Sequence, residues 1–143
     1  MLRKHFRPLK NEDVPFVVNA WIKNYAVANR NIKIKGGVDN HRALILACLN
    51  KYNTLICCNE DDQDQIFGFI NCFQYDDVFV TNYIYTKEIF KRLGVATALY
   101  KELKVNDELL RLATHNTNSF QMFCEKKDLR HWYNPHLIFK ELL

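Results

Sequence analysis

The stretch "YTKEIFKRLGVATALYKEL", Tyr85 to Leu103, decides how the rest of the chain is read. Only four glycines occur in 143 residues, and one of them, Gly94, stands between Lys91-Arg92-Leu93 and an amphipathic run that predicts a helix over Val95–Leu103. Immediately upstream, "VFVTNYIYT" (Val78–Thr86) is rich in β-branched and aromatic residues and reads as a strand. A strand, a short loop and a glycine opening a helix form an arrangement with a chemical use. The first backbone N–H groups of a helix lack internal partners, and the helix dipole puts partial positive charge there. The missing Cβ at Gly94 lets a diphosphate approach the backbone, the Thr97 hydroxyl adds a donor, and Lys91 and Arg92 add positive charge. A lone Gly-x-Ala before a helix also occurs by accident, as a permissive loop residue beside a solvated Lys-Arg edge. Its neighbours in the chain have to decide.

Working outward, a first strand is expected at about Leu2–Arg7. It is followed by "PLKNEDVPFVVNAWIKNYAVA", in which Asn11 or Asp13 can cap, Pro15 suits a first turn, and Phe16, Val17, Ala20, Trp21 and Tyr25 recur at helical spacing. The loop "NRNIKIKGG" leads to a second helix, "VDNHRALILACLNKY", with Asp39 or Asn40 as cap. The period then changes. "TLICC", "QIFGFINCFQY" and "VFVTNYIYT" read as three strands, with the acidic "NEDDQD" as the first turn and Asp76-Asp77 as the second. After the Gly94 helix come a strand in "LLRLATH", a helix in "NTNSFQMFCEKK" and a closing hairpin in "LRHWYNPHLIFKEL" around Asn134-Pro135. The expected order is β-αα-βββ-α-β-α-ββ. This is an α/β chain with a mixed central sheet flanked by helices and one crossover through the Gly94 helix.

Composition bounds the function. The length suits a single domain, residues 1–143, and 48% hydrophobic with 13% aromatic residues argues for a packed core. A net charge of +4 suits an anionic ligand but lacks the dense basic stripe of a nucleic-acid binder. Cys48, Cys57, Cys58, Cys72 and Cys124 are odd in number, show no CxxC spacing and fall mostly in apolar runs. They read as core residues in a reducing cytoplasm rather than as disulfides or a zinc site. "MLRKHFRPLK" shows no signal-peptide pattern, and no run of eighteen apolar residues offers a membrane span.

Taken with its position, Lys91-Arg92-Leu93-Gly94-Val95-Ala96 resembles the R/Q-x-x-G-x-G/A motif of the GNAT superfamily of N-acetyltransferases, which follows the fourth strand and opens the third helix. The resemblance runs over nearly the whole chain. "FRPLKNEDVPFV" is similar to the family's first strand and helix, "IFGFINCF" to its third strand, and "THNTNSFQMFCEKKDL" to its Asn-x(n)-Tyr-Glu-Lys-x-Gly-Phe region. What it implies is a co-substrate, acetyl-CoA, lying between splayed fourth and fifth strands. The backbone of Arg92, Leu93, Gly94, Val95, Ala96 and Thr97 would hold the pyrophosphate, with Lys91 in place of the usual Arg or Gln. Pantetheine would pair with Ile84, Tyr85 and Thr86, and Asn116 or Asn118 would reach it from the other side.

The chemistry departs from that pattern. The Tyr that commonly protonates the leaving thiolate is Cys124 here, and the following Gly-Phe is Asp128-Leu129. A thiol has a lower reference pKa than a phenol, but its side chain is shorter and S–H is a weak donor. Tyr83, Tyr85 and Tyr133 are other candidate acids. The fourth strand carries no Asp or Glu from Val78 to Tyr85, which leaves His115 as the candidate base. His131 and His136 read as edge residues of the hairpin, and no metal site is expected. The leading expectation is acetyl transfer from acetyl-CoA to a small-molecule or protein amine. The alternative is a catalytically weak or inactive GNAT-fold binding or structural protein, of the kind found among phage virion and accessory components. A third reading, nucleic-acid binding through Arg30, Lys33 and Lys35, is the weakest. Acceptor identity and oligomeric state stay open.

Overall fold

The computed structural model describes residues 2–28, 37–75, 77–105, 110–113 and 131–133. One six-stranded sheet runs through them, with the strands side by side in chain order. The strands are β1 (Lys4–Pro8), β2 (Asn53–Asn59), β3 (Ile66–Tyr75), β4 (Val78–Thr86), β5 (Leu110–Ala113) and β6 (His131–Tyr133). The helices are α1 (Val14–Ala28), entered through a 3-10 turn at Asn11–Asp13, then α2 (Gly37–Lys51) and α3 (Val95–Glu102). From β1 to β4 every pairing is antiparallel, whereas β4 with β5 and β5 with β6 run parallel.

Most expected elements form within a residue or two of where periodicity puts them, and β4 and α3 match almost residue for residue. Three details differ. The strand at His131–Tyr133 joins β5 in parallel, so the sheet has a second parallel pair where one crossover was expected; the remainder of the expected closing hairpin, like the helix in "NTNSFQMFCEKK", lies outside the described residues. Helix α2 begins at Gly37, which takes φ +73°, and Asp39 therefore sits in its first turn instead of capping it. Asp13 serves α1 from the preceding turn, its carboxylate accepting the Lys10 N–H at 2.8 Å.

The sheet is buried on both faces. On one side α1 and α2 cover Ile56, Cys58, Ile66, Phe69 and Tyr83 with Val17, Trp21, Ile45 and Cys48. On the other α3 lays Val95 and Leu99 over Cys57, Phe67, Ile70, Phe79 and Ile84. Phe67, Phe69, Ile84, Val95 and Leu99 are thus core residues, as their spacing along β3, β4 and α3 indicates. Turn 60–65 is shaped by short polar side chains: Asn59 Oδ1 accepts the Asp61 N–H at 2.9 Å and Asp62 Oδ1 the Asp64 N–H at 3.1 Å.

One core position makes stability depend on pH. His41 of α2 is 4% exposed, and burial pushes its pKa down to about 4. An imidazole in the unfolded chain titrates near 6.5, so on acidification the unfolded state binds its proton first. Stability contributed by the neutral imidazole is present above about pH 6.5 and is lost as pH falls toward about 4, by up to about 3 kcal/mol. Urea midpoints of the wild type are expected to drop across that window, and those of His41→Gln to drop distinctly less.

Candidate functional site

The site is built where β4 changes sides. Along β4 the pairing with β3 runs Val78↔Tyr75 through Thr81↔Cys72, then resumes at Tyr83↔Asn71, so Asn82 is an extra residue with no opposite number. That β-bulge reverses the strand's alternation. Before it, Phe79 packs on the α3 face, and the Thr81 hydroxyl meets the Tyr100 hydroxyl of α3 at 2.8 Å. After it, Tyr83 packs on the α1 face with Tyr85 against it, while Ile84 points to α3. Among the described residues the parallel pairing with β5 covers Val78–Thr81, from Val78↔Leu110 to Thr81↔Ala113. From Tyr83 to Thr86, β4 pairs with β3, and no described residue pairs with the other edge of Asn82–Thr86.

Two buried amides stand at the bulge. Asn82 Nδ2 donates to Asn71 Oδ1 at 2.7 Å, and Asn71 Nδ2 in turn donates to Thr54 Oγ1 at 3.0 Å. Both asparagines are fully buried.

Beyond the open edge the chain makes the turn into α3. Arg92 takes φ +66° and Gly94 φ +80°, both left-handed, with extended backbone at Lys91 before them. The first bond of the α3 ladder is from the Ala98 N–H to the Gly94 carbonyl, at 2.9 Å. The N–H groups of Arg92 through Thr97 accordingly have no backbone acceptor among the described residues. A Cβ placed on Gly94 would meet nothing within 4 Å, so the glycine is required by its backbone angle and borders open space. Gly68 is required for the opposite reason. A Cβ there would run into the Tyr85 carbonyl oxygen and stand 3.0 Å from the Val95 side chain, because β3, β4 and the start of α3 meet at that point.

Charge at the turn is arranged differently from the simple expectation. Lys91 Nζ is bound to Glu88 Oε2 at 2.8 Å, one turn back, and that contact lowers the pKa of the glutamate. Arg92 is exposed with no ion pair among the described residues. On the α1 side of the open edge, Tyr85 packs edge-on against Phe16 at 6.0 Å, and the Lys87 ammonium lies 4.9 Å from the centre of the Phe16 ring. Tyr83 is a core residue, stacked on Trp21 at 5.0 Å with its hydroxyl donating to the Ala20 carbonyl at 3.3 Å. Burial, with Tyr85 nearby, raises its pKa, and that hydroxyl is committed to packing. Tyr85 is half-buried; burial first and the nearby Glu88 second raise its pKa, which keeps the phenol protonated. Burial also pushes the thiols of Cys57 up to about 11 and of Cys48 and Cys72 up to about 12, so they are inert core groups.

The structure thus brings together Ile84, Tyr85 and Thr86 at the strand edge and Lys91, Arg92, Leu93, Gly94, Val95, Ala96 and Thr97 at the turn. His115, Asn116, Asn118 and Cys124 lie outside the described residues, as does the side chain of Tyr133. Among the described residues no cluster of three His, Cys, Asp or Glu is placed to hold a metal ion, and no helix is long and apolar enough to cross a membrane. Sequence reasoning missed the bulge, the amide pair, the Glu88–Lys91 contact and the Phe16–Tyr85–Lys87 wall. Two signals were visible: Asn71 and Asn82 interrupt otherwise apolar strands, and Glu88 precedes Lys91 by one helical turn.

No protein-family model matches the chain, and no curated protein sequence does either. Solved structures do. A possible acetyltransferase from Clostridium difficile 630 is 14% identical, with a TM-score of 0.57 over 92% of this chain and 94% of that one. A predicted acetyltransferase from Clostridium acetobutylicum, solved with acetyl-CoA, is 14% identical with a TM-score of 0.57 over 89% and 90% of the two chains. The PaiA N-acetyltransferase from Thermoplasma acidophilum, in complex with coenzyme A, is 12% identical with a TM-score of 0.53 over 72% and 70%. Such identities speak for architecture: the chain is built on the fold of the GNAT N-acetyltransferases.

Proposed function

We propose that the protein is an acyltransferase that moves an acetyl group from acetyl-CoA to an amine. The observation that carries this reading is the turn into α3, where the N–H groups of Arg92–Thr97 have no backbone acceptor among the described residues, following directly on Asn82–Thr86 of β4, whose edge away from β3 pairs with no described residue. One end matches an extended, amide-bearing chain, which can add to a strand edge; the other matches a diphosphate. Fold neighbours solved with acetyl-CoA and with coenzyme A support the same ligand.

Acetyl-CoA supplies an acyl thioester whose C–S bond is exchanged for a C–N bond, one proton leaving the acceptor nitrogen and one reaching the departing thiolate. The protein's part is to hold and polarise. Backbone N–H groups of β4 beyond the bulge are fixed dipoles for a carbonyl oxygen, and they need no reorganisation during reaction. Tyr85, protonated and beside the open edge, is the described residue best suited to give the thiolate its proton. No carboxylate on β4 serves as base, and His115 is the residue we assign to take the proton from the amine. With the family's tyrosine replaced by Cys124, slow turnover is expected, since each missing acid–base function typically costs about 10²–10⁴-fold.

Calorimetric titration with acetyl-CoA, followed by measurement of free CoA released with a panel of amines, tests the proposal. Binding with slow release, reduced at least tenfold by Tyr85→Phe or His115→Ala and indifferent to Cys124→Ala, is the expected result. Rapid release abolished by Cys124→Ala would reassign the acid to the cysteine. Absence of binding would overturn the proposal.

A further inference from the structure

We propose that Lys87, held on the ring of Phe16 beside Tyr85, binds a carboxylate of the acceptor, so that the amine acetylated belongs to an amino-carboxylate, an α-amino acid being the simplest member. The inference rests on the acyltransferase reading above and names its acceptor class. Lys87 is the residue after β4, and its backbone is fixed at both groups. Its N–H donates to the Phe67 carbonyl at 2.9 Å, and its carbonyl accepts the Phe90 N–H at 2.9 Å. The ammonium lies 4.9 Å from the centre of the Phe16 ring. That ring is itself locked in α1, edge-on to Tyr85 at 6.0 Å and to Phe69 at 6.3 Å. A lysine is ordinarily a hydrated charge on a flexible stem. This one is half-buried, with its charge set against a rigid aromatic surface.

The charge has no carboxylate of its own. Among the described residues Lys87 makes no ion pair. Its neighbour Glu88 turns instead to Lys91, at 2.8 Å, and Glu12, one helical turn before Phe16, does not pair with Lys87 either. Lys91 shows the ordinary case, an exposed cation engaged by a nearby glutamate. A ring face attracts an ammonium without consuming its three N–H donors. Lys87 therefore offers a placed positive charge with donors to spend, next to aromatic rings that suit the carbon skeleton of a ligand. Position favours the acceptor over the donor as that ligand. Phe16 and Tyr85 pack on the α1 face of the sheet, whereas α3, which the diphosphate turn opens, packs on the opposite face. Tyr85, the residue assigned to protonate the thiolate, shares the Phe16 ring with Lys87. An amine seated for transfer beside Tyr85 would have its carboxylate within the field of Lys87.

The probes are L-amino acids with small, aliphatic and aromatic side chains, each beside its carboxamide, which keeps the amine and removes the charge. Lys87→Met keeps the stem on Phe16 and removes the cation; Lys87→Arg keeps a cation. Comparing enzymes within one pair cancels the difference in amine basicity. The ratio of kcat/KM, carboxylate over carboxamide, should fall about tenfold in Lys87→Met, the worth of one charge-assisted hydrogen bond. The fall should come mostly through KM, and Lys87→Arg should restore part of it. A second readout needs no turnover. In the wild type loaded with CoA, the ring resonances of Phe16 should shift on titration with the amino acid, and in Lys87→Met the same titration should leave them in place. Where release is too slow to measure, that titration decides alone. A ratio equal in wild type and Lys87→Met, or Phe16 resonances that no amino acid moves, overturns the proposal while binding of acetyl-CoA stands. A weakened affinity of Lys87→Met for CoA with the acceptor ratio unchanged assigns the cation to a phosphate of the donor and likewise overturns it. Failure of the wild type to bind acetyl-CoA overturns the acyltransferase reading itself.

Discussion

Gly94→Glu is expected to abolish binding of acetyl-CoA while leaving a folded protein. The residue has φ +80°, where a side chain of any kind is strained, and it faces open space beside N–H groups that precede the α3 ladder. A glutamate adds bulk at that face and places a carboxylate where a diphosphate must approach. The strain alone is about 1–2 kcal/mol, and it is shared by Gly94→Ala, which isolates it. A ligand present at a hundred times its dissociation constant raises stability by about 2.7 kcal/mol. The wild type should show that increase in thermal melting, Gly94→Ala a reduced one, and Gly94→Glu none. A ligand-induced shift of wild-type size in Gly94→Glu would place the diphosphate elsewhere.

Arg7→Met is expected to be the most destabilising single change remote from the site. Arg7 and Asp13 form a two-pronged ion pair with distances of 2.6 and 3.0 Å, and their side chains are 4% and 9% exposed. Arg7 also donates to the Gln63 carbonyl at 3.0 Å, so one guanidinium joins β1, the entry to α1 and the β2–β3 turn. Burial by itself raises the pKa of Asp13; hydrogen bonds from Arg7 and from the Lys10 N–H outweigh it and leave the carboxyl below its usual value. Removing the arginine strands a buried carboxylate, a loss of about 3–5 kcal/mol, whereas replacing both partners by apolar residues restores much of it. Urea unfolding of Arg7→Met, Asp13→Leu and the double variant should show that coupling. A double variant no more stable than Arg7→Met would mean that water reaches the pair freely. The sign with pH follows from the lowered pKa of Asp13. Its contribution is intact above the unfolded-chain value of about 3.9 and is lost as pH falls below it. That window lies under the one assigned to His41, so the two losses can be told apart.

What could be read from sequence, and what could not, divides along a physical line. The positions of β4 and α3 were legible because each is set locally, by β-branched and aromatic residues in Val78–Thr86 and by a glycine opening an amphipathic run. Burial of Phe67, Ile84, Val95 and Leu99 follows from the same periodicity. The bulge was not legible, because it belongs to the pairing of two strands. Periodicity within "VFVTNYIYT" puts Thr81, Tyr83 and Tyr85 on one face, yet Thr81 meets Tyr100 of α3 while Tyr83 packs on Trp21 of α1. Arg92 at φ +66° was equally hidden, since arginine shows no preference that announces a left-handed turn. The parallel addition of His131–Tyr133 to β5 joins strands far apart in the chain, which a local turn signal at Asn134-Pro135 cannot reveal.

Gly68 ties these parts together mechanically. With no side chain, it lets the start of β3 approach the Tyr85 carbonyl and the Val95 side chain at once, one belonging to the strand edge and the other to the helix start. On the proposed function, strand edge and helix turn would be the two halves of one clamp, joined at this close contact. A ligand long enough to span both would find its two anchoring points already at fixed separation, and would forfeit its own freedom without having to freeze the protein's as well. Such a clamp would discriminate by length. Shortened or extended thioester carriers would engage one half and miss the other, and selectivity for the carrier would come from the spacing of the two halves as much as from any individual contact.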